Sequence, residues 1–438
     1  MSLAKITFIG AGSVQFTTAV LKDITTFPAL NHAEVCLMDI SEYRLKRITE
    51  CVEKILREMD SPITITSTTS REEALTGADA VICTVFNGDV DIWQYEIEIP
   101  KKYGVDINIG DTRSVSGIFR ALRNIPLMLD ICRDMERICP HAFMLNYTNP
   151  MAMLCKAMQT YTSTDVTGLC HSVQGTHQML SEWAGFEPSD VDYTCIGINH
   201  MAFFTKLDAH GVDLYPILRQ KIEEPEYYNK EKVRNEIFRT FGYYVTESSG
   251  HNSEYTPWFR KRPDLIRKYC DPTGANWNPG EYAYSLNLRR DPMRFDKQVD
   301  EFLAKPIDKK RGREFAACIL NARLGDGTPF DFNGNLPNRG TIENLPLDCC
   351  AEIPVTASPE GYTRRFQGKL PSAVATLVAY TAGIENLVVE AWEHRSKAQV
   401  IQAVSLDPLC SAVLSLQEIR EMCEELFIVN KDYLGDFT

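Results

Sequence analysis

Segment 166–177, VTGLCHSVQGTH, sets Cys170 beside His171 with His177 close behind, and segment 197–204, GINHMAFF, adds His200 after an asparagine. Thiols and imidazoles hold divalent ions or carry protons near neutral pH, and they are also ordinary buried side chains. The local sequence leaves all three readings open. A second set of residues suits a nucleotide. KITFIGAGSVQF (5–16) is an apolar run ending in Gly10-Ala11-Gly12 and Ser13. Glycines there permit a tight turn and let backbone N–H groups approach a pyrophosphate at a helix N-terminus. The third glycine of this fingerprint is replaced by Gln15, so the motif alone is weak. The next apolar run, AEVCLMDI (33–40), strengthens it with Asp39, an acid placed to accept hydrogen bonds from a ribose diol. That favours NAD over a 2′-phosphorylated cofactor. The spacing exceeds the usual gap of about 20 residues, so the first crossover must be longer than minimal.

The elements around these residues give them positions. Segment 43–59 carries Leu45, Ile48, Val52, Ile55, Leu56 and Met59 on one helical face. PITITS (62–67) and ADAVICTVF (78–86) read as strands, and HAFMLNYTNPMAMLCKAM (141–158) as a strand broken by Asn149-Pro150 before a helix. Strands alternating with helices imply a Rossmann-type, doubly wound parallel α/β sheet. Its ligands gather at the C-terminal strand ends, where Gly10, Gly12, Ser13, Asp39, Asn87 and the 146–149 stretch all fall.

A chain of 438 residues is long for one core, which predicts two domains. A net charge of −13 argues against a nucleic-acid or anionic-membrane surface. The start, MSLAKITFIGAGS, reads as a first strand and not as a signal peptide. Segment 371–394 is apolar but interrupted by Thr376, Thr381, Glu385 and Asn386, which suits a buried helix better than a membrane span. Fourteen cysteines without a repeated spacing read as reduced cytoplasmic thiols.

Several segments in one order along the chain resemble glycoside hydrolase family 4, the NAD- and metal-dependent glycosidases. They are KITFIGAGS (5–13), GIFRALRNIP (117–126), MLNYTNPMAM (144–153), GLCHSVQGT (168–176), GINHMAFF (197–204), YYVTESSGHNSEYTPWF (243–259), IENLPLDC (342–349) and SLDPLCSAVLSLQEI (405–419). The CHSVQGT and TESSGHNSEYTPWF stretches look most like the α-galactosidase branch. The resemblance implies that Cys170 and His200 hold a divalent ion, usually Mn2+, against two sugar hydroxyls. It implies a tyrosine base at C2, matched by Tyr243 or Tyr244 with Tyr255 as a third candidate. His171 stands where phosphosugar members carry an aspartate acid, so it either donates a proton to the leaving oxygen or binds a sugar hydroxyl. His177 reads as structural.

Asn149 matches an asparagine that contacts the sugar. Trp93 stands near where phosphosugar members have an arginine; an indole stacks on a pyranose but cannot bind phosphate, which points to an unphosphorylated α-glycoside. DTRSVSG (111–117) replaces a glycine-rich turn of the relatives, leaving the loop shape open. By resemblance the mechanism is oxidation at C3, elimination across C1–C2, addition of water and reduction, instead of the two-carboxylate route of ordinary glycosidases.

Rival readings are another family 4 specificity (α-glucosidase, α-glucuronidase or α-galacturonidase), a lactate/malate-type 2-hydroxyacid dehydrogenase, and a non-catalytic NAD-binding protein. The expected organisation is an NAD-binding domain over 1–170 and a mixed α+β, helix-rich domain over 171–438 that carries metal, substrate and subunit contacts in a homodimer or homotetramer. Segment 223–236 reads as a polar arm and 267–282 as a Pro/Gly-rich loop.

Overall fold

The computed structural model describes residues 4–270 and 282–438. Most of the Pro/Gly-rich stretch 267–282 therefore lies outside the described residues. The strands are β1 (Lys5–Ile9), β2 (Glu34–Met38), β3 (Thr64–Thr68), β4 (Ala80–Cys83), β5 (Phe143–Asn146), β6 (Asp165–Gly168), β7 (Val191–Ile198), β8 (Met201–Ala209), β9 (Val212–Asp213), β10 (Tyr244–Val245), β11 (Phe330–Pro337), β12 (Cys350–Ser358) and β13 (Gly361–Arg364). Six of them form a parallel run in the order β3-β2-β1-β4-β5-β6. This is the dinucleotide-binding order. β4 and β5 are buried along their whole length and β1 almost so, which is why their sequences are unbroken apolar runs and not alternating ones. β3 ends the run and carries only half-buried and exposed residues, as an edge strand does.

The long first crossover contains helix Val14–Ile24 and a further 3-10 turn, Pro28–Leu30, which accounts for the extra residues before Asp39. Helix Glu42–Glu58 follows, capped by Ser41, and buries Leu45, Ile48, Val52 and Ile55 against the sheet. Beyond β6 the same sheet continues antiparallel through β11, β12, β7, β8 and β10. β11 and β12 come late in the chain yet lie between β6 and β7, joined through Asn335 opposite Gly168 and Glu352 opposite Gly197. The expected border at 170/171 falls just after β6, inside a sheet that runs on without interruption.

The 25-residue helix Ser114–Ile138 crosses the centre of the fold and buries Val115, Phe119, Leu122, Ile125 and Leu129. Withdrawing each such large apolar side chain from water contributes about 1.5–3 kcal/mol. Segment 371–394 forms helix Ser372–Glu393, among the described residues the single helix long and apolar enough to cross a membrane. Half of its most apolar window is buried inside the fold. Its Glu385 points inward to Arg113, 3.0 Å away. The polar arm at 223–236 is folded into the short helix Pro225–Tyr228 and the start of helix Lys232–Phe241.

Candidate active site

The nucleotide side of the site is built by the β1 turn. Gly10 has φ +83°, and a Cβ there would meet the Thr84 carbonyl oxygen at 2.6 Å. Both the conformation and the space therefore require glycine. A Cβ on Gly12 would meet Asp39 Oδ2 at 2.6 Å. Instead, the Gly12 N–H donates to that oxygen at 2.8 Å and the Ser41 N–H donates to Oδ1 at 2.9 Å. The two amides fix the Asp39 carboxylate at the end of β2 and leave it lone pairs for a diol. Helix Val14–Ile24 starts at Ser13, whose side chain caps none of its amides. An uncapped N-terminus beside a glycine turn fits a pyrophosphate. Asn87 is held just past β4: its N–H donates to Asn124 Oδ1 at 2.9 Å, and its side-chain amide donates to the Arg123 carbonyl at 2.6 Å. Asn149 follows β5, and its buried Oδ1 has no partner within the protein.

The Cys170 and His200 side chains, from the end of β6 and the β7–β8 turn, meet at Sγ–Nε2 3.2 Å. His200 reaches this place through a left-handed backbone conformation, φ +60°. Glu247, also left-handed at φ +66°, brings its carboxylate to 3.4 Å from His200 Nε2. Donor atoms of Cys170, His200 and Glu247 all lie within 4.8 Å of one another, and so do those of Asp111, His200 and His251. Two strained non-glycine residues facing one another are a costly arrangement that a packed fold retains for a reason. A thiol, an imidazole and a carboxylate converging on one point are a fitting donor set for Mn2+ or Zn2+.

Electrostatics favours an ion there. Burial holds His200 down at about 4, against the pull of Glu247, so its ring is neutral and free to ligate. Burial, then the Glu352 and Glu247 charges, push the Cys170 thiol up. A cation would supply the charge that stabilises its thiolate. His251 is the opposite case. Burial disfavours its charge, yet Glu247 on Nδ1 (3.1 Å) and Asp111 on Nε2 (3.6 Å) raise it to about 9. Asp111 is half-buried, and although its surroundings disfavour the charge, His251 holds it well below the usual carboxylate range.

The remaining sequence candidates are distributed differently. Tyr255 stands at the cluster, with its hydroxyl 3.2 Å from His200 Nδ1 and the Arg113 guanidinium 4.8 Å over its ring. Tyr244 is fully buried in a separate core with Trp183 and Phe238, and its hydroxyl donates to Asn235 Oδ1 at 2.9 Å. Tyr243 packs edge-on against Tyr215 and lines a surface cleft with Thr205, Asp208 and Arg219. Both tyrosines pack around Tyr215, whose hydroxyl accepts the Tyr244 N–H at 3.3 Å, whereas Tyr255 is the tyrosine hydrogen-bonded to His200. His171 turns from Cys170 toward Glu314, 2.8 Å away, and stacks on Phe16. His177 hydrogen-bonds the Val191 carbonyl at 3.0 Å, as a structural residue would.

Trp93 is a correction to the sequence reading. It is 2 % exposed, its indole N–H donates to the Gly110 carbonyl at 3.2 Å, and Arg120 and Arg289 lie over its ring, each at 5.2 Å. An indole so enclosed has no face for a pyranose. The residues that sequence reasoning did not single out are Asp111, Glu247 and His251. Glu247 and His251 lie inside the quoted TESSGHNSEY stretch, but nothing in their spacing showed which side chains turn inward.

Two family models match: "Family 4 glycosyl hydrolase" over residues 5–186 and "Family 4 glycosyl hydrolase C-terminal domain" over 195–410. The chain belongs to glycosyl hydrolase family 4. The hydrolase is 38 % identical to an alpha-galactosidase of Bacillus subtilis (strain 168), over 99 % of this chain and all of the relative. It is 34 % identical to an alpha-galactosidase of Rhizobium meliloti (strain 1021), over 100 % of this chain and 90 % of the relative. Among solved structures it superposes on a 6-phospho-alpha-glucosidase from gut microorganisms in complex with NAD and Mn2+, with TM-score 0.83 and 19 % identity over the whole of both chains. That likeness shows a shared fold.

Proposed function

We propose that this hydrolase is an α-galactosidase acting on unphosphorylated α-galactosides such as melibiose, with NAD+ and Mn2+ as bound cofactors. The observation that carries the reading is the convergence of Cys170, His200, Glu247 and Tyr255 in a fold whose β1–β2 end is shaped for a dinucleotide. The sugar assignment is supported by the full-length similarity to two alpha-galactosidases. Bound NAD+ supplies a reversible hydride acceptor, and bound Mn2+ a Lewis acid beside the sugar oxygens.

Cys170, His200 and Glu247 would hold the ion. With Nε2 turned to the ion, the His200 ring carries its proton on Nδ1 and donates it to the Tyr255 oxygen. That bond and the Arg113 guanidinium both favour the phenolate of Tyr255, against burial and the Asp111 charge, which push its phenol up. Tyr255, in preference to Tyr243 or Tyr244, is then the group that takes the proton from C2. Asn149 Oδ1 accepts a hydrogen bond from a sugar hydroxyl. His171, next to Cys170 in the chain and backed by Glu314, donates a proton to the leaving oxygen or binds a sugar hydroxyl. The same reading has the enzyme working in the cytoplasm, supported by its fourteen free cysteines, and takes it as a homo-oligomer.

The test is hydrolysis of 4-nitrophenyl α- and β-galactosides, α- and β-glucosides and α-glucuronide, with NAD+ and Mn2+ present. The α-galactoside is cleaved best, and 6-phosphorylation gives no advantage. A faster uronide or phosphosugar would overturn the specificity and leave the family membership intact.

A further inference from the structure

Asp111 reaches the cluster from a loop, and that loop is held by side chains from three separate elements. The fully buried carboxylate of Glu254, in helix Ser249–Tyr255, accepts three successive amides: Asn108 N–H and Ile109 N–H at 3.0 Å on Oε2, and Gly110 N–H at 2.9 Å on Oε1. The Gly110 carbonyl is held in turn by the Trp93 indole at 3.2 Å and the Ser116 hydroxyl at 2.8 Å. Gly110 itself has φ +70°, and a Cβ there would meet Ser116 Oγ at 2.7 Å. On its other edge the loop accepts Ala283 N–H on the Ile107 carbonyl and Ser285 N–H on the Asn108 carbonyl. Every polar backbone group at Gly110 is tied, and the next residue is Asp111. Its carboxylate faces His251 at 3.6 Å, and His251 faces Glu247 at 3.1 Å.

We infer that Glu254 is a positioning residue for the ion-binding cluster: by clamping the amides of residues 108–110 it aims Asp111 at His251, which in turn orients Glu247 toward Cys170 and His200. Burying a carboxylate costs several kcal/mol unless its lone pairs are satisfied, and here three amides of one loop satisfy them, beside the His251 and Arg260 charges. Trp93 and Ser116 act on the same loop from its carbonyl side, which gives the tryptophan a role although no sugar can stack on it. The inference rests on the reading of Cys170, His200 and Glu247 as the Mn2+ site.

The experiment measures the Mn2+ dissociation constant by electron paramagnetic resonance of free Mn2+, using the full-length protein with NAD+ bound. Glu254→Gln keeps the shape of the side chain but sets an NH2 group against one of the three amides. Outer partners of metal ligands are worth about 10- to 100-fold in affinity, so Glu254→Gln and Asp111→Asn should each weaken Mn2+ binding by that order. Because both act through Asp111, the double variant should bind Mn2+ no more than about threefold weaker than Asp111→Asn alone. Losses that multiply, or a Glu254→Gln protein binding Mn2+ like the wild type, would overturn the inference. Should Glu254→Gln fail to fold, Ser116→Ala and Trp93→Phe release the Gly110 carbonyl and must show the same non-additivity with Asp111→Asn, or the inference is wrong. A wild-type protein that binds no Mn2+ would remove the metal reading itself, which is a distinct result.

Discussion

Glu96 and Arg123 form the most deeply buried ion pair described here, and removing its acid should be severe. Both side chains are 0 % exposed, and the contact is bidentate, Nε to Oε1 and Nη2 to Oε2, each at 2.9 Å. The third guanidinium nitrogen donates to the Asn87 carbonyl, and the Arg123 carbonyl accepts from the Asn87 side chain. Glu96→Gln would leave a guanidinium in a dry site close to a second one, Arg120, which packs on Phe86 at 4.3 Å alongside Arg123 at 5.1 Å. Breaking a buried pair this way costs about 3–5 kcal/mol, or roughly 10²- to 10⁴-fold in a local opening equilibrium. Replacing both partners removes the uncompensated charge and is neutral or better relative to an intact pair, so Glu96→Leu with Arg123→Met should recover the whole of that loss, about 3 kcal/mol or more. A chain of this length need not unfold in one step, so the readout is hydrogen exchange of helix Ser114–Ile138, with NAD+ affinity as the report on Asn87. A Glu96→Gln protein within about 1 kcal/mol of wild type, or a double variant less stable than the single, would refute the reasoning.

Chelation and dialysis should abolish hydrolysis and Mn2+ should restore it, whereas Cys170→Ser and His200→Ala should each prevent that rescue; full activity in excess chelator would refute the metal assignment. Tyr255→Phe should lower the rate by about 10²- to 10⁴-fold and stop deuterium entering C2 of the product in D2O, while Tyr243→Phe and Tyr244→Phe keep the exchange. If Tyr244→Phe alone loses it, the base has been misplaced. His171 is raised above its ordinary value because Glu314 outweighs the opposing effect of burial. A raised histidine stabilises the fold fully below its unfolded value of about 6.5 and loses that contribution as pH rises through the folded value. Glu314→Gln should therefore cost more stability at pH 6 than at pH 9, with the His171 ring titrating lower by NMR; equal losses at both pH values would exclude the ion pair.

The parallel half was legible because its signals are local. β1, β2, β4 and β5 are continuous apolar runs, and the glycine turn and Asp39 sit where such strands end. The antiparallel half was read only as mixed and helix-rich, since the pairing of β11 with β6 depends on residues far apart in the chain. Within the site, Cys170 and His200 were reached through motif resemblance. Asp111, Glu247 and His251 were not, because what brings them inward is a left-handed residue and a clamped loop, and neither leaves a periodic mark on the sequence. The tyrosines show the same limit. Tyr243, Tyr244 and Tyr255 are alike by type, and only tertiary packing separates a core ring from one facing His200. Trp93 misled for a related reason: an indole offers the same atoms to a sugar and to a carbonyl.

The threading of β11 and β12 between β6 and β7 bears on how this kind of enzyme can be recombined. The two stretches matched by family models, 5–186 and 195–410, look like exchangeable cassettes along the sequence. In space they share one continuous sheet and meet where residues 165–168 of the first lie against 330–337 of the second. A chimera joined between the cassettes must match a foreign strand seam, Gly168 to Asn335, and Gly168 has no room for a side chain beside Met151, Cys155 and Asn335. New sugar preferences in such a scaffold are thus more accessible by substitution within one lineage than by shuffling halves between lineages.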